Sequence, residues 1–348
     1  MRRGVHAAAV LLALGLAAPA SGAYRQVDTW GRLGSGPGEF GSGVLGGGAN
    51  RQYDDPAGIS LSGDGSTVFV VDTSNNRVEK FSRSGAFQGQ FGSRGRDSGA
   101  INRVSMKGRF YQPAGFAVGP NGLVYVVDSG NDRVMVHAQG GAFVRRIGHH
   151  GSKRGEWVQP WGATTFGSTV FVVDQGNYRV QRWTLDGGYL GAWGGFGRRR
   201  GQFVTPYDVA VSPGGDRVYV TDSIRRKVIV FGPSGSLIGE FGQSGTGAGR
   251  FLKPAGVAVA RDGTLFVADR CNRRIDHLTA DGGFIESFGG GTLETPTFLA
   301  VDESNRVYVS DYRRVVVFAP TSQLARPSSL GRASQRRGFD VACSGIRP

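Results

Sequence analysis

The chain has 348 residues, of which 59 are glycine and 39% are apolar. So many glycines exclude an architecture of long helices, and that much apolar side chain excludes wholesale disorder. Lys and Arg outnumber Asp and Glu 41 to 27, a formal charge of +14 that directs the search for partners towards anions.

Residues 1–23 have the layout of a secretory signal. Arg2 and Arg3 form a basic start, Val10 to Ala18 an apolar centre, and Ser21-Gly22-Ala23 a small-residue cleavage site. The apolar run, bracketed by His6 and Pro19, is shorter than the roughly 20 residues a membrane span needs. Cleavage after Ala23 is expected, giving a secreted, extracytoplasmic protein with no transmembrane segment.

From Tyr24 onwards the chain repeats itself. Six times it runs through a Pro-x-Gly-like start, a short apolar stretch and a Gly/Asp/Asn turn. An alternating strand ending in Asp follows, and then Asn-x-Arg-Val. The Asp falls at positions 72, 128, 174, 222, 269 and 311, at intervals of 56, 46, 48, 47 and 42 residues. A period in the forties built of short strands is the mark of a propeller blade.

The second copy shows the layout. Pro113 to Val118 forms an inner strand, Asn121-Gly122 a hairpin turn, and Leu123 to Val127 the next strand. After the Asp128 turn come Val134 to Ala138 and the outer strand Phe143 to Ile147. Outer strands recur at Phe87 to Phe91, Tyr189 to Trp193, Leu237 to Phe241 and Phe284 to Phe288, each followed by Gly. The sixth copy has none. Its counterpart lies at the other end of the chain, where Arg25 to Gly31 has the outer-strand pattern and no blade before it. The N-terminal strand is therefore expected to complete the last blade and remove the open edges. Residues 24–318 form the ring, and 319–348 a Ser/Arg/Gly-rich tail.

The Phe-Gly…Gly-x-Phe…Pro-x-Gly linkers and Asp-x-x-Asn-x-Arg-Val turns, with the period, resemble the NHL repeat over Tyr24 to Phe318. The spacing from the outer-strand Gly to the next Pro is 12 residues for Gly148 to Pro160, Gly194 to Pro206 and Gly242 to Pro254. The resemblance implies an all-β, six-bladed propeller of four-stranded antiparallel blades. Relatives of this kind include lyases and lactonases with a metal at the central channel, and domains that bind single-stranded RNA on a basic face. Others carry ubiquitin-ligase or kinase domains, for which this chain offers neither the cysteines nor the length.

The repeated Asp, Asn and Arg are expected to serve the scaffold, by accepting turn amides and pairing blade with blade. Function is sought where copies differ. The fourth turn, Asp222-Ser223-Ile224-Arg225-Arg226-Lys227, replaces Asn by Arg and Arg by Lys. The fifth carries Arg270, Arg273 and Arg274, and the sixth is shortened to Asp311-Tyr312-Arg313-Arg314.

In an up-and-down blade the Asp turn and the linker to the next blade share one face, here called the top. That face collects a candidate set of ligand-binding residues. The linkers supply Arg94, Arg96, Lys153, Arg154, Arg198, Arg199 and Arg200, and the turns supply Arg225, Arg226, Lys227, Arg273, Arg274, Arg313 and Arg314. Trp157, Trp161, Tyr178, Trp193, Phe196 and Tyr207 would add stacking surface. The opposite turns carry Asp64, Asp186, Asp216, Asp262, Asp281, Asp302 and Glu303, a mildly acidic bottom. Arg outnumbers Lys 36 to 5, which suits bidentate contacts with phosphate, sulfate or carboxylate.

The leading expectation is a secreted, monomeric, non-catalytic binding propeller that needs no cofactor. Its partner would be a protein or an anionic glycan or cell-envelope ligand. The alternative is a metal-dependent enzyme at the channel mouth. Among the inner-strand positions Gly58, Gly115, Gly162, Asp208, Gly256 and Phe298, only Asp208 could serve as a metal ligand; Asp55 would supply a second carboxylate for a cation. A further alternative is single-stranded nucleic acid, which export opposes. Cys271 and Cys343 either pair, tying the tail to the fifth blade, or stand as separate thiols.

Overall fold

The computed structural model describes residues 24–41, 56–95, 108–323 and Cys343. Six four-stranded antiparallel sheets stand around an axis as blades. Blade one runs Pro56–Leu61, Thr67–Asp72, Arg77–Ser82 and Phe87–Phe91 from the axis outwards. Blade six takes Leu299–Val301, Val307–Asp311 and Arg314–Pro320 from the end of the ring. Its outer strand is Tyr24–Trp30, paired antiparallel from Tyr24 opposite Pro320 to Trp30 opposite Val315. The ring is thus closed by its own N-terminal strand. No helix among the described residues is long and apolar enough to cross a membrane.

The strands follow from alternation of β-branched and aromatic residues buried on both faces, because each sheet is covered by a blade on either side. Val68, Val70, Val124, Val126, Val218 and Val220 are all fully buried. Each linker then drives one large apolar side chain between blades: Phe40, Phe110, Trp157, Phe203, Phe251 and Leu293, exposed by 2% or less. Burying such a side chain contributes about 1.5–3 kcal/mol. It also explains the Gly after every outer strand. A Cβ on Gly31, Gly92, Gly148, Gly194, Gly242 or Gly289 would come within 2.0–2.7 Å of that side chain, and each of these glycines has positive φ.

A second close approach sets the width of the channel. Gly58 donates its N–H to Ala114 O at 2.7 Å and Gly256 to Thr297 O at 2.6 Å, so neighbouring inner strands touch through their backbones. At the seam between blades six and one, Thr297 Oγ1 donates to Pro56 O at 3.1 Å. Trp30 packs on Phe81 with ring centroids 5.0 Å apart.

Cys271, in the top turn of blade five, is disulfide-bonded to Cys343 with Cα atoms 5.5 Å apart. The bond closes a loop of 72 residues, for which the chain-entropy relation gives a stabilisation of about 4 kcal/mol.

Candidate binding face

The repeated turn residues build one device. In blade two, Asp128 is fully buried. Its Oδ1 accepts the Tyr111 N–H at 2.7 Å, and its Oδ2 accepts Asn131 Nδ2 at 2.8 Å and Arg133 Nε at 2.7 Å. Arg133 Nη2 continues to Arg109 O at 3.0 Å. Burial pushes the Asp128 carboxyl up to about 6 against the pull of Arg133 and these donors. Asp72 with Arg77 and Asp174 with Arg179 repeat the arrangement at 2.9 and 2.7 Å. Each Arg therefore pairs with the Asp of its own blade and not with a neighbouring blade's, while its remaining N–H groups hold the carbonyls of the incoming linker.

This device claims part of the candidate set. Arg225 sits where other blades have Asn, and its side chain is only 4% exposed. It donates to Gln202 O at 2.6 Å and Arg198 O at 3.2 Å and pairs with Glu240 at 2.8 Å, doing from one position the work of both Asn and Arg. Lys227 pairs with Glu240 at 3.2 Å. Arg274 pairs with Asp276 at 3.0 Å and holds Thr246 O, Gly247 O and Arg250 O. Arg314 pairs with Asp311 at 2.9 Å and holds Thr292 O. These four cations are scaffold, a correction to their reading as ligand contacts; the physical reason is that linker carbonyls and buried carboxylates already hold them.

The others stand differently. Arg94, Lys153, Arg198, Arg199, Arg200 and Arg273 are exposed, and Arg226 and Arg313 are half-buried. The Arg154 guanidinium lies 4.8 Å from the centre of the Tyr189 ring. Arg96 lies outside the described residues. Where blades four and five meet, a top-face cavity of about 550 Å³ is lined by Arg198, Ser223, Ile224, Arg225, Arg226, Ser244, Leu252 and Lys253. No carboxylate lines it. Arg226 Nη1 donates to Ser244 Oγ across it. Ser244 and Lys253, outside the candidate set, reach the cavity from the linker that folds back beside the turn.

The aromatic expectation needs correcting. Trp157, Trp161 and Tyr207 are buried in the core, and of the six expected aromatics only Phe196, 67% exposed, offers a large open ring. Trp161, Tyr207 and Phe298 meet on the axis, with centroids 5.6 and 5.4 Å apart in sequence, and close the top end of the channel. The acidic bottom is also less acidic than its sequence. Arg83 pairs with Asp302 at 2.5 Å and with Glu303 at 3.4 Å, Arg145 with Asp186 at 3.0 Å, and Arg217 with Asp281, each joining two blades.

Below the aromatic closure lies a channel cavity of about 280 Å³, lined by all six inner strands and by Asp208. The Asp208 carboxylate accepts its neighbour's Val209 N–H at 2.9 Å and, from blade five, the Val257 N–H at 3.0 Å. It thus ties two adjacent inner strands in place of the direct backbone contact seen at Gly58. Burial, only partly offset by the two amides, pushes it up to about 7. Asp55, its expected partner, lies outside the described residues. Among the described residues, no three His, Cys, Asp or Glu side chains are grouped to hold a metal ion.

Closed blades, inserted linker rings and Asp–Asn–Arg turns define a six-bladed β-propeller of repeat origin. The NHL repeat family model matches residues 110–136 and 251–277, within blades two and five, and the chain is an NHL-repeat propeller. No curated protein sequence matches it significantly. Among solved structures it is similar to a gluconolactonase from Xanthomonas campestris, with 15% identity and a TM-score of 0.59 over 76% of this chain and 86% of that one. It is also similar to virginiamycin B lyase from Staphylococcus aureus, with 11% identity and a TM-score of 0.54 over 78% and 96%. A chain of a nidogen/laminin complex matches with 15% identity and a TM-score of 0.56 over 70% and 83%. Two enzymes and a member of a protein complex share the fold, so the likeness speaks for architecture alone.

Proposed function

We propose that this propeller is an exported binding protein that holds an anionic partner on its top face. The observation that carries the reading is the cavity between blades four and five, where Arg198, Arg226 and Lys253 converge with two serine hydroxyls and without a carboxylate. Guanidinium groups recognise sulfate, phosphate and carboxylate through paired N–H donors. The bottom face does not offer the same chance, because its Arg83, Arg145 and Arg217 are engaged between blades.

Replacing Arg198, Arg199 and Arg200 together by Gln should weaken retention of the mature chain on a sulfated or phosphorylated matrix by about tenfold at low salt. The melting temperature should stay within a degree or so of the parent's, since these side chains are exposed. Unchanged retention would refute the reading.

A channel-mouth enzyme is the second reading, favoured by the Asp208 carboxyl on the wall of the channel cavity. Metal retained after purification and lost in an Asp208→Ala chain would favour it over the binding protein.

A further inference from the structure

The linkers that enter blades one, three and four are built alike. In each, one residue bridges by its backbone to the large apolar residue inserted between blades: Leu33 to Phe40, His150 to Trp157 and Phe196 to Phe203. The residue before the inserted one accepts the amide three positions earlier. Glu39 Oε2 accepts the Gly36 N–H at 2.9 Å, Glu156 Oε2 the Lys153 N–H at 2.8 Å, and Gln202 Oε1 the Arg199 N–H at 3.1 Å.

The linker into blade four keeps this turn without its charge. The other carboxylate oxygen of Glu39 accepts from Arg32 Nε at 2.8 Å, and that of Glu156 stands 3.6 Å from His149 Nε2. Those two linkers thus carry a carboxylate beside their own basic residues. Gln202 closes the same turn as a neutral amide around Arg198, Arg199 and Arg200, and no Asp or Glu occurs between Asp186 and Asp208. The loop is firmly seated, because Arg225 donates to both Gln202 O at 2.6 Å and Arg198 O at 3.2 Å. Its three guanidiniums are exposed on a fixed support.

The same loop carries the most exposed large apolar side chain of the described residues. Phe196 is 67% exposed, and Tyr178 packs edge-on against its ring with centroids 4.8 Å apart. Ile224, in the turn that holds the loop, is 48% exposed and lines the top-face cavity together with Arg198 and Arg226. Open apolar side chains beside uncompensated guanidiniums match the two layers of one partner, a lipid surface whose headgroups carry negative charge and whose acyl boundary receives a ring.

We propose that the linker into blade four is a membrane-docking loop. It lays Arg198, Arg199 and Arg200 on the headgroups of an anionic lipid bilayer and inserts Phe196 at the acyl boundary, with Ile224 on the adjoining turn. This rests on the reading of the top face as an anion-binding surface and names its partner. Charge and insertion are each weak and act together, so residence at the surface is reversible. A sulfated polysaccharide meets the charges but has no apolar interior for the ring. Single-stranded nucleic acid needs a row of open rings for successive bases, and of the six expected aromatics this face offers one.

The test uses the mature chain with vesicles of phosphatidylcholine, vesicles of phosphatidylcholine mixed with phosphatidylglycerol, dextran sulfate and an oligothymidylate. The chain should sediment with the phosphatidylglycerol vesicles at low salt and ignore phosphatidylcholine alone. Replacing Arg198, Arg199 and Arg200 by Gln should weaken vesicle binding by about a hundredfold and dextran sulfate binding by about tenfold. Phe196→Ser should weaken vesicle binding by about fivefold and hold dextran sulfate as the parent does. In a Phe196→Trp chain, lipid brominated in its acyl chains should quench the added fluorescence, which attraction to headgroups alone would not produce. These side chains are exposed, so the melting temperatures should stay close to the parent's.

Parental vesicle binding by Phe196→Ser, without quenching in Phe196→Trp, would overturn the docking loop and leave the anion-binding face standing. So would a parent chain that holds dextran sulfate but not the phosphatidylglycerol vesicles. Unchanged binding of both by the triple Gln variant would overturn the two readings together. Oligothymidylate held more tightly than the vesicles, and lost in Phe196→Ser, would make the loop a nucleic-acid contact and overturn the choice of partner.

Discussion

The first and second halves of the ring solve the same problem with different residues. In blades one to three the set Asp72–Asn75–Arg77, Asp128–Asn131–Arg133 and Asp174–Asn177–Arg179 is complete, and linker, turn and strand are locked by one buried carboxylate each. In blades four to six the set is altered: Arg225 pairs with Glu240, Arg274 with Asp276 although Asn272 still donates to Asp269, and Arg314 with Asp311 in a shortened turn. The halves share a backbone. They differ in the residue at the left-handed position of the turn, which is Asn76, Asp132 and Tyr178 in the first half and Arg226, Arg273 and Arg313 in the second.

The comparison can be broken most forcefully at its buried carboxylates. Asp128→Ala removes the acceptor of one amide, one Asn and one Arg and leaves Arg133 buried without its charge partner. It should cost about 3–5 kcal/mol, measured by denaturant unfolding. Asp222→Ala in blade four should cost less, because Arg225 there keeps Glu240. Equal losses would show that the halves are locked alike.

The next effect is one of pH. Burial pushes Asp208 up to about 7 from its ordinary 3.8, and likewise Glu79 and Asp276 to about 7 from 4.5 and 3.8. The folded state therefore binds these protons more tightly than the unfolded one. Stability should be highest below about pH 4 for these groups and fall as pH rises towards 7, opposite to an Asp in a well-solvated ion pair. Asp208→Asn should flatten that slope, stabilising by on the order of 2 kcal/mol at pH 8 and little at pH 4. An unchanged melting profile across this range would count against an ionisable strain at the channel.

The smallest effects lie at the left-handed positions, and there the sign should reverse between halves. Asp132→Ala loses the cap on Gln159 and should cost about 1 kcal/mol. Arg313→Asn places a tolerant residue in the same conformation and should gain about 0.5 kcal/mol. Losses of the same sign in both would show that the left-handed position serves the scaffold alike in the two halves.

Much of this molecule was legible in its sequence. The six strand-ending Asp residues, the outer-strand pattern at Arg25 to Gly31 and the linker glycines placed the blades and their closure, because each reflects a local requirement that recurs. The site was legible only in kind. Arg225 and Arg226 are neighbours of identical chemistry and both line the cavity, yet the first is held by Gln202 O and Glu240 while the second reaches across to Ser244 Oγ. That difference is made by a linker folding back from more than twenty residues away, which no local pattern encodes. Trp157 and Phe196 fare likewise: both lie in linkers, but only the first faces the gap between blades.

The closing strand has a consequence for how this protein comes into being. Tyr24–Trp30 is the first strand of the ring to be synthesised, and its partner Arg314–Pro320 is the last. During synthesis blades one to five can form in order, each from contiguous chain, while the first strand waits with its edge unpaired until nearly the whole polypeptide has emerged. Pairing of such remote segments is slow, and an unpaired edge in the meantime invites association with other chains. The ring that leaves no edge exposed when finished is, until its final step, a curved array with two of them.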